Sequence, residues 1–265
     1  MSRPLALVTG ASSGIGAALA RGLARRGYDL ALTARRQDRL EALAVELRGA
    51  SAVETVVVPE DLEDPAAPAR LLDALAVRGL RVDALVNNAG YGLTGSYGDH
   101  DWPTHARFLR IMVEAPCALA HAVLPGMRER GFGRILNVAS VAGLAPGTAG
   151  HTLYAPAKAF LIKWSQSLNA ENRGAGVHVS ALCPGFTRSE FHDVNGTRER
   201  MDRLPEWMWL DADRVAEDGL DALEANRAIC VPGGQYKAIT ALMKLLPDGV
   251  QEALGRREGH RVRQA

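Results

Sequence analysis

Tyr154 and Lys158 stand four residues apart in the stretch LYAPAKAF (153–160), with Pro156 between them. Residues at i and i+4 share one face of a helix, so a phenol and an ammonium at this spacing can reach a common point. A free phenol has a pKa of about 10, and a nearby cation favours its ionised form. The pair could be a proton donor with the cation that tunes it, or simply the start of a helix. Pro156 is tolerated in a first helical turn and puts that start close to Tyr154. Upstream, Ser140 closes the run RILNVAS (134–140). Alone it reads as a strand-end hydroxyl satisfying its own turn; placed near Tyr154, it could donate to an oxygen gaining negative charge.

A second chemical feature lies near the N-terminus. The run LALVT (5–9) leads into TGASSGIG (9–16), which spaces Gly10, Gly14 and Gly16 as G-x-x-x-G-x-G before a helical pattern. Gly10 permits a tight turn, Gly14 lets the backbone approach a pyrophosphate, and Gly16 lets helix and strand pack closely. Ser12 and Ser13 add hydroxyls, and the helix start adds unpaired N–H groups and a positive dipole end. Sites for NAD carry an acid about 20 residues further on, bonded to the adenosine ribose. Here LTARRQDRL puts Arg35 and Arg36 in that zone, which favours the extra phosphate of NADP through charge-assisted contacts. Asp38, the rival acid, reads as a helix-start residue.

These residues need a scaffold, and the pattern supplies one. Apolar runs at 5–9, 29–34, 52–58, 82–87, 134–140, 177–183 and 228–232 predict strands, several of them apolar at nearly every position, as strands covered on both faces must be. Helical patterns fall at 14–26, 37–48, 66–78, 103–130, 153–173 and 212–225. Such alternation implies right-handed βαβ crossovers and an α/β fold with a parallel sheet. No linker, repeat or low-complexity segment interrupts it, so one domain is expected over 1–265. Residues 186–210, rich in charge and aromatics, break the alternation where a doubly wound fold places a substrate-binding flap. Residues 255–265 read as a flexible basic tail.

Composition narrows the function classes. The chain has 265 residues, 47% of them hydrophobic, and 31 Lys plus Arg against 30 Asp plus Glu, for a formal net charge of +1. That balance offers no field for nucleic acid or an anionic membrane. The three cysteines, Cys117, Cys183 and Cys230, match neither a disulfide framework nor a zinc spacing, and the seven histidines show no metal-ligand pair. No metal is expected. No uninterrupted apolar run approaches the roughly 20 residues of a membrane helix, and the N-terminus reaches a glycine before a signal-peptide core could form. A cytoplasmic location is the expectation, in which the Asn195-Gly196-Thr197 acceptor pattern has no use.

The glycine loop, NNAG (87–90), Ser140, the Tyr154/Lys158 pair and CPG (183–185) follow one another in an order that resembles the short-chain dehydrogenase/reductase family, over residues 4–240. The resemblance implies a single-domain Rossmann-like doubly wound sheet of about seven strands that binds NAD(P), and the Arg35/Arg36 pair makes NADP(H) the expected cofactor in preference to NAD(H). It assigns the pyrophosphate side to Gly10, Ser12, Ser13, Gly14, Ile15 and Gly16, the adenine to Asp61 and Leu62, and the cofactor beyond the fourth strand to Asn88, Ala89 and Gly90. Gly185 and Thr187 would hold the nicotinamide end, with Ser189 in support. Ser140, Tyr154 and Lys158 match the family's catalytic residues, Lys158 also holding the cofactor ribose. One position departs: Met112 stands where many members carry an Asn that holds a relay water. The implied activity is reduction of a small, fairly apolar ketone or aldehyde, or oxidation of the alcohol. Tyr91, Leu144, Phe186, Phe191, Trp207 and Trp209 are candidate pocket residues. The family commonly forms homodimers and homotetramers. The alternatives are a non-catalytic NADP-binding protein, or epimerase or dehydratase chemistry at the same site.

Overall fold

The seven apolar runs all become strands: β1 (Leu5–Thr9), β2 (Asp29–Thr33), β3 (Thr55–Val57), β4 (Val82–Asn87), β5 (Gly133–Val138), β6 (Val177–Leu182) and β7 (Ile229–Cys230). In the computed structural model, which describes residues 3–150, 153–190, 204–247 and 249–250, they form one parallel sheet in the order β3-β2-β1-β4-β5-β6-β7. The order reverses between β1 and β4. In a doubly wound sheet, the crevice beyond the carboxyl ends of the strands at such a point is where a ligand fits.

Every residue of β1 and β4 is buried. Successive side chains alternate between two cores, as the period of a strand requires. Ala6, Val8, Leu30, Leu32 and Val86 join the layer of α1 (Gly14–Arg25), α2 (Gln37–Ser51) and α7 (Ala212–Glu224). Leu5, Leu7, Leu85 and Ile135 join the opposite layer of α3 (Ala67–Ala76), α5 (Ala115–Glu129) and α6 (Tyr154–Asn172). Small residues bring α1 onto α7: a Cβ at Gly22 would lie 2.6 Å from Leu220 Cδ1.

The expected helix at 103–130 is one continuous rod with a change of pitch. It comprises α4 (Trp102–Leu109), a π-helical turn over Arg110–Glu114, and α5. This rod, Trp102–Glu129, is long and apolar enough to cross a membrane by length and composition, and 44% of its most apolar window is buried inside the protein. Its apolar side packs on the sheet through Leu119, Ala120 and Val123.

Two expectations need correction. The strand expected at 52–58 shortens to β3, because Ala52 sits at φ 51°, in the left-handed region, and closes α2. The strand expected at 228–232 pairs over only two residues. A last helix, α8 (Gly234–Leu245), lies beyond the expected ones and buries only Tyr236 and Thr240, four residues apart on one face.

Candidate active site

The glycine turn is built for close approach. Gly10 and Gly14 have φ of +65° and +54°, a region that disfavours a side chain. A Cβ at Gly10 would lie 2.7 Å from Asn88 Nδ2, and one at Gly16 would lie 2.3 Å from the Gly10 carbonyl oxygen. Thr9 ties this turn to the next strand. Its hydroxyl donates to the Val86 carbonyl (3.1 Å) and accepts from the N–H groups of Asn88 (2.9 Å) and Ala89 (3.0 Å). The Asn88 amide donates to the carbonyls of Thr9 (3.0 Å) and Gly10 (3.1 Å). The 10–16 and 88–90 segments are therefore one braced unit at the sheet's switch point, and α1 aims its N-terminus there. A bare backbone cradle at a helix start fits a dinucleotide pyrophosphate.

The expected phosphate-binding arginines flank this cradle. Arg36 Nη2 donates to Ser12 Oγ (3.1 Å) and Ser13 Oγ (3.0 Å), and its Nη1 donates to Glu190 (2.9 Å). Arg35 faces Glu63 at 3.5 Å. Asp38 lies in the first turn of α2, as its helix-start reading required. Asp61 accepts from the Glu63 N–H (3.0 Å), shaping the turn after β3, while Leu62 is buried with Phe108 and Met112. Ile15 packs against the α1-side core.

Beyond β5 the three expected chemical groups come together. Ser140 caps a short 3-10 turn (Val141–Leu144), accepting from the Ala142 N–H at 3.1 Å, and its side chain hydrogen-bonds the Tyr154 phenol. Tyr154 opens α6, the start that Pro156 predicts. Lys158 is buried; its Nζ lies 5.7 Å from the centroid of the Tyr154 ring and donates to the Val138 carbonyl at 2.8 Å. The expected downward tuning of the phenol is not what this geometry gives. Burial pushes Tyr154 up to about 12, with Ser140 alone opposing the rise. The ammonium lies over the ring face and is committed to a carbonyl. Burial also lowers Lys158 to about 8.

Met112 is in the π turn, buried, with its sulfur where Gly90 leaves room: a Cβ at Gly90 would lie 2.6 Å from Sδ. Its side chain fills space that an amide would need partners to enter. Of the pocket candidates, Phe186 and Trp209 meet with ring centroids 6.1 Å apart, and Leu144 packs against Ala139, Leu161 and Ile162. Trp207 is largely exposed. Tyr91 meets Phe108 edge-on, ring centroids 5.5 Å apart, and packs on the cluster of Leu62, Phe108 and Met112. Phe191, most of the expected flap and the whole basic tail lie outside the described residues.

The family model described as short chain dehydrogenase matches residues 4–200. The chain belongs to the short-chain dehydrogenase family. An uncharacterised oxidoreductase of Myxococcus xanthus is 35% identical to it over 97% of this chain and 98% of its own length. Among solved structures, a short-chain dehydrogenase from Sphingobium yanoikuyae in complex with NADPH is similar at 34% identity and a TM-score of 0.79, covering 92% of this chain and 96% of its own. A bulky-bulky ketone specific alcohol dehydrogenase from Comamonas testosteroni is similar at 31% identity and a TM-score of 0.76, covering 94% and 96%.

This short-chain dehydrogenase braces its site with residues that the sequence did not single out. Asn137 on β5 accepts from Asn87 Nδ2 and donates to Ser165 Oγ, both at 2.8 Å, and Ser165 donates to the Leu161 carbonyl at 2.6 Å. This buried chain pins α6, and with it Tyr154 and Lys158, to the sheet. Tyr236 from α8 lies over the CPG turn, so close that a Cβ at Gly185 would sit 2.0 Å from its ring. Its hydroxyl accepts from the Phe186 N–H (3.0 Å) and donates to the Met208 carbonyl (2.7 Å). Thr187 is buried, its hydroxyl donating to the Gly185 carbonyl at 3.0 Å. The signal for Tyr236 was a tyrosine just after a Gly-Gly pair; without α8 it had no visible destination.

Proposed function

We propose that this short-chain dehydrogenase is an NADPH-dependent carbonyl reductase acting on a fairly apolar ketone or aldehyde, or oxidising the corresponding alcohol. The observation that carries this reading is the Ser140–Tyr154 hydroxyl contact with Lys158 packed behind the ring. Gly10, Ser12, Ser13, Gly14, Ile15 and Gly16 would hold the pyrophosphate; Arg35 and Arg36, the 2′-phosphate; Asp61 and Leu62, the adenine. Asn88, Ala89 and Gly90 would line the cofactor beyond β4, Lys158 would hold its ribose, and Gly185 and Thr187 the nicotinamide. NADPH, when bound there, would supply the hydride that the carbonyl carbon receives. Ser140 donates a hydrogen bond to the oxygen that gains charge, and Tyr154 gives it the phenolic proton. Burial holds Tyr154 protonated well above neutral pH, which suits the reducing direction. Lys158 places its charge beside the phenolate left behind.

Phe186, Trp209 and Leu144 support an apolar substrate, and the bulky-bulky ketone specificity of the Comamonas relative supports a ketone. The exposed Phe160, stacked with Trp164 on α6, is consistent with a homodimer or homotetramer. NADPH oxidation followed across a panel of bulky and small ketones and aldehydes tests the reading. Turnover with apolar ketones is expected. NADPH binding by calorimetry with no turnover across the panel would point instead to a non-catalytic NADP-binding protein, for which Met112 is the supporting departure.

A further inference from the structure

We propose that Glu190 is an internal competitor for the adenosine 2′-phosphate, holding the guanidiniums of Arg36 and Arg39 and thereby setting how strongly the site prefers NADPH to NADH. This rests on the reading of Arg36 as part of the 2′-phosphate site, to which the shared carboxylate joins Arg39. Arg36 caps the start of α2 and Arg39 lies in its first turn, and each takes a different oxygen of the one carboxylate: Arg36 Nη1 donates to Oε2 at 2.9 Å, and Arg39 Nη1 donates to Oε1. The other amino group of Arg36 is already spent on Ser12 and Ser13, so its guanidinium is fixed between the glycine turn and Glu190.

Glu190 is more than 150 positions away in sequence from both arginines. It reaches them because the chain beyond β6 is laid across the cradle. Thr187 pairs with Leu210, the Arg188 N–H donates to the Leu210 carbonyl at 3.0 Å, and Ser189 Cβ lies 2.9 Å from where a Cβ on Gly14 would be. The contact is thus templated by backbone pairing and a glycine, beyond the chance meeting of two long side chains. Arg35 has its own carboxylate, Glu63, which Arg107 also faces at 3.6 Å.

A phosphate monoester brings about −1.5 to −2 charge near neutral pH and three acceptor oxygens, against a single charge on Glu190. It therefore wins the two guanidiniums, but its binding is weakened by the pairs that it breaks. NADH presents a neutral ribose hydroxyl and has no such exchange to make. Both pairs are exposed, and two such pairs together correspond to about 3–10-fold in affinity.

Isothermal titration calorimetry of the full chain with adenosine 2′,5′-bisphosphate and with AMP separates the terms, using wild type, Glu190→Gln, Glu190→Ala and Arg36→Ala. Both Glu190 variants are expected to bind the bisphosphate about 3–10-fold more tightly and AMP within about twofold of wild type. A wild type that prefers the bisphosphate, with Glu190 variants that bind it equally or more weakly, overturns the proposal and leaves the cofactor reading standing. Equal tightening toward both ligands also overturns it. If wild type does not prefer the bisphosphate and Arg36→Ala changes nothing, the cofactor reading falls and the role of Glu190 falls with it.

Discussion

Lys158→Met should make the stability of this protein respond to alkaline pH in a way that isolates one buried charge. Lys158 is 6% exposed, and burial lowers it to about 8, from an unfolded value near 10.5. Below pH 8 both states hold the proton, and folding carries the full cost of burying the ammonium. Between about 8 and 10.5 the unfolded chain binds a proton that the folded chain does not, so stability rises with pH. Above 10.5 neither state is charged and the cost is gone. The gap between the folded and unfolded values corresponds to about 3 kcal/mol. Methionine keeps the length of the side chain and removes the charge. The lost bond to the Val138 carbonyl costs the variant a fixed amount at every pH. The stability of wild type relative to the variant should therefore climb by about 3 kcal/mol between pH 7 and 10.5. At roughly 2 °C per kcal/mol for a chain this long, that is a change of about 6 °C in the difference between their melting temperatures. Circular-dichroism melts of both proteins at half-unit pH steps measure it. A difference that stays flat within about one degree would mean that the ammonium is not buried as described, and the reasoning would fail.

Other outcomes follow from the same geometry. Tyr236→Phe leaves the Phe186 N–H and the Met208 carbonyl without their shared partner, and should lower the melting temperature by about 2–6 °C while raising the KM for cofactor more than it lowers kcat. Gly16→Ala drives a methyl into the Gly10 carbonyl oxygen, so calorimetry should show cofactor binding lost from a chain that retains its far-ultraviolet spectrum. Arg36→Ala should raise the KM for NADPH far more than that for NADH; equal effects on both would defeat the assignment.

The sheet and the chemical groups were legible in the sequence for one reason: their determinants are local. A strand buried on both faces, such as Val82–Asn87, must be apolar throughout, and a cradle such as 10–16 must be written in glycines. The supports were less visible because they depend on partners far along the chain. Asn137 on a core strand looks out of place until Asn87 and Ser165 close around it. Glu190 is one acid in a charged loop until the Thr187–Leu210 bridge carries it to Arg36 and Arg39. The raised pKa of Tyr154 is not legible in the sequence, because spacing shows which cation is near and says nothing about depth. Burial raises it, and only the hydrogen bond with Ser140 opposes the rise.

The central claim is that Tyr154 delivers the proton, and Tyr154→Phe tests it most directly. Phenylalanine keeps the ring packed at the start of α6 and removes only the hydroxyl that meets Ser140. With cofactor saturating and the best ketone of the panel, single-turnover oxidation of NADPH should slow by about 10²–10⁴-fold, with NADPH affinity within about threefold of wild type. A Tyr154→Phe protein that turns over at the wild-type rate would contradict the account.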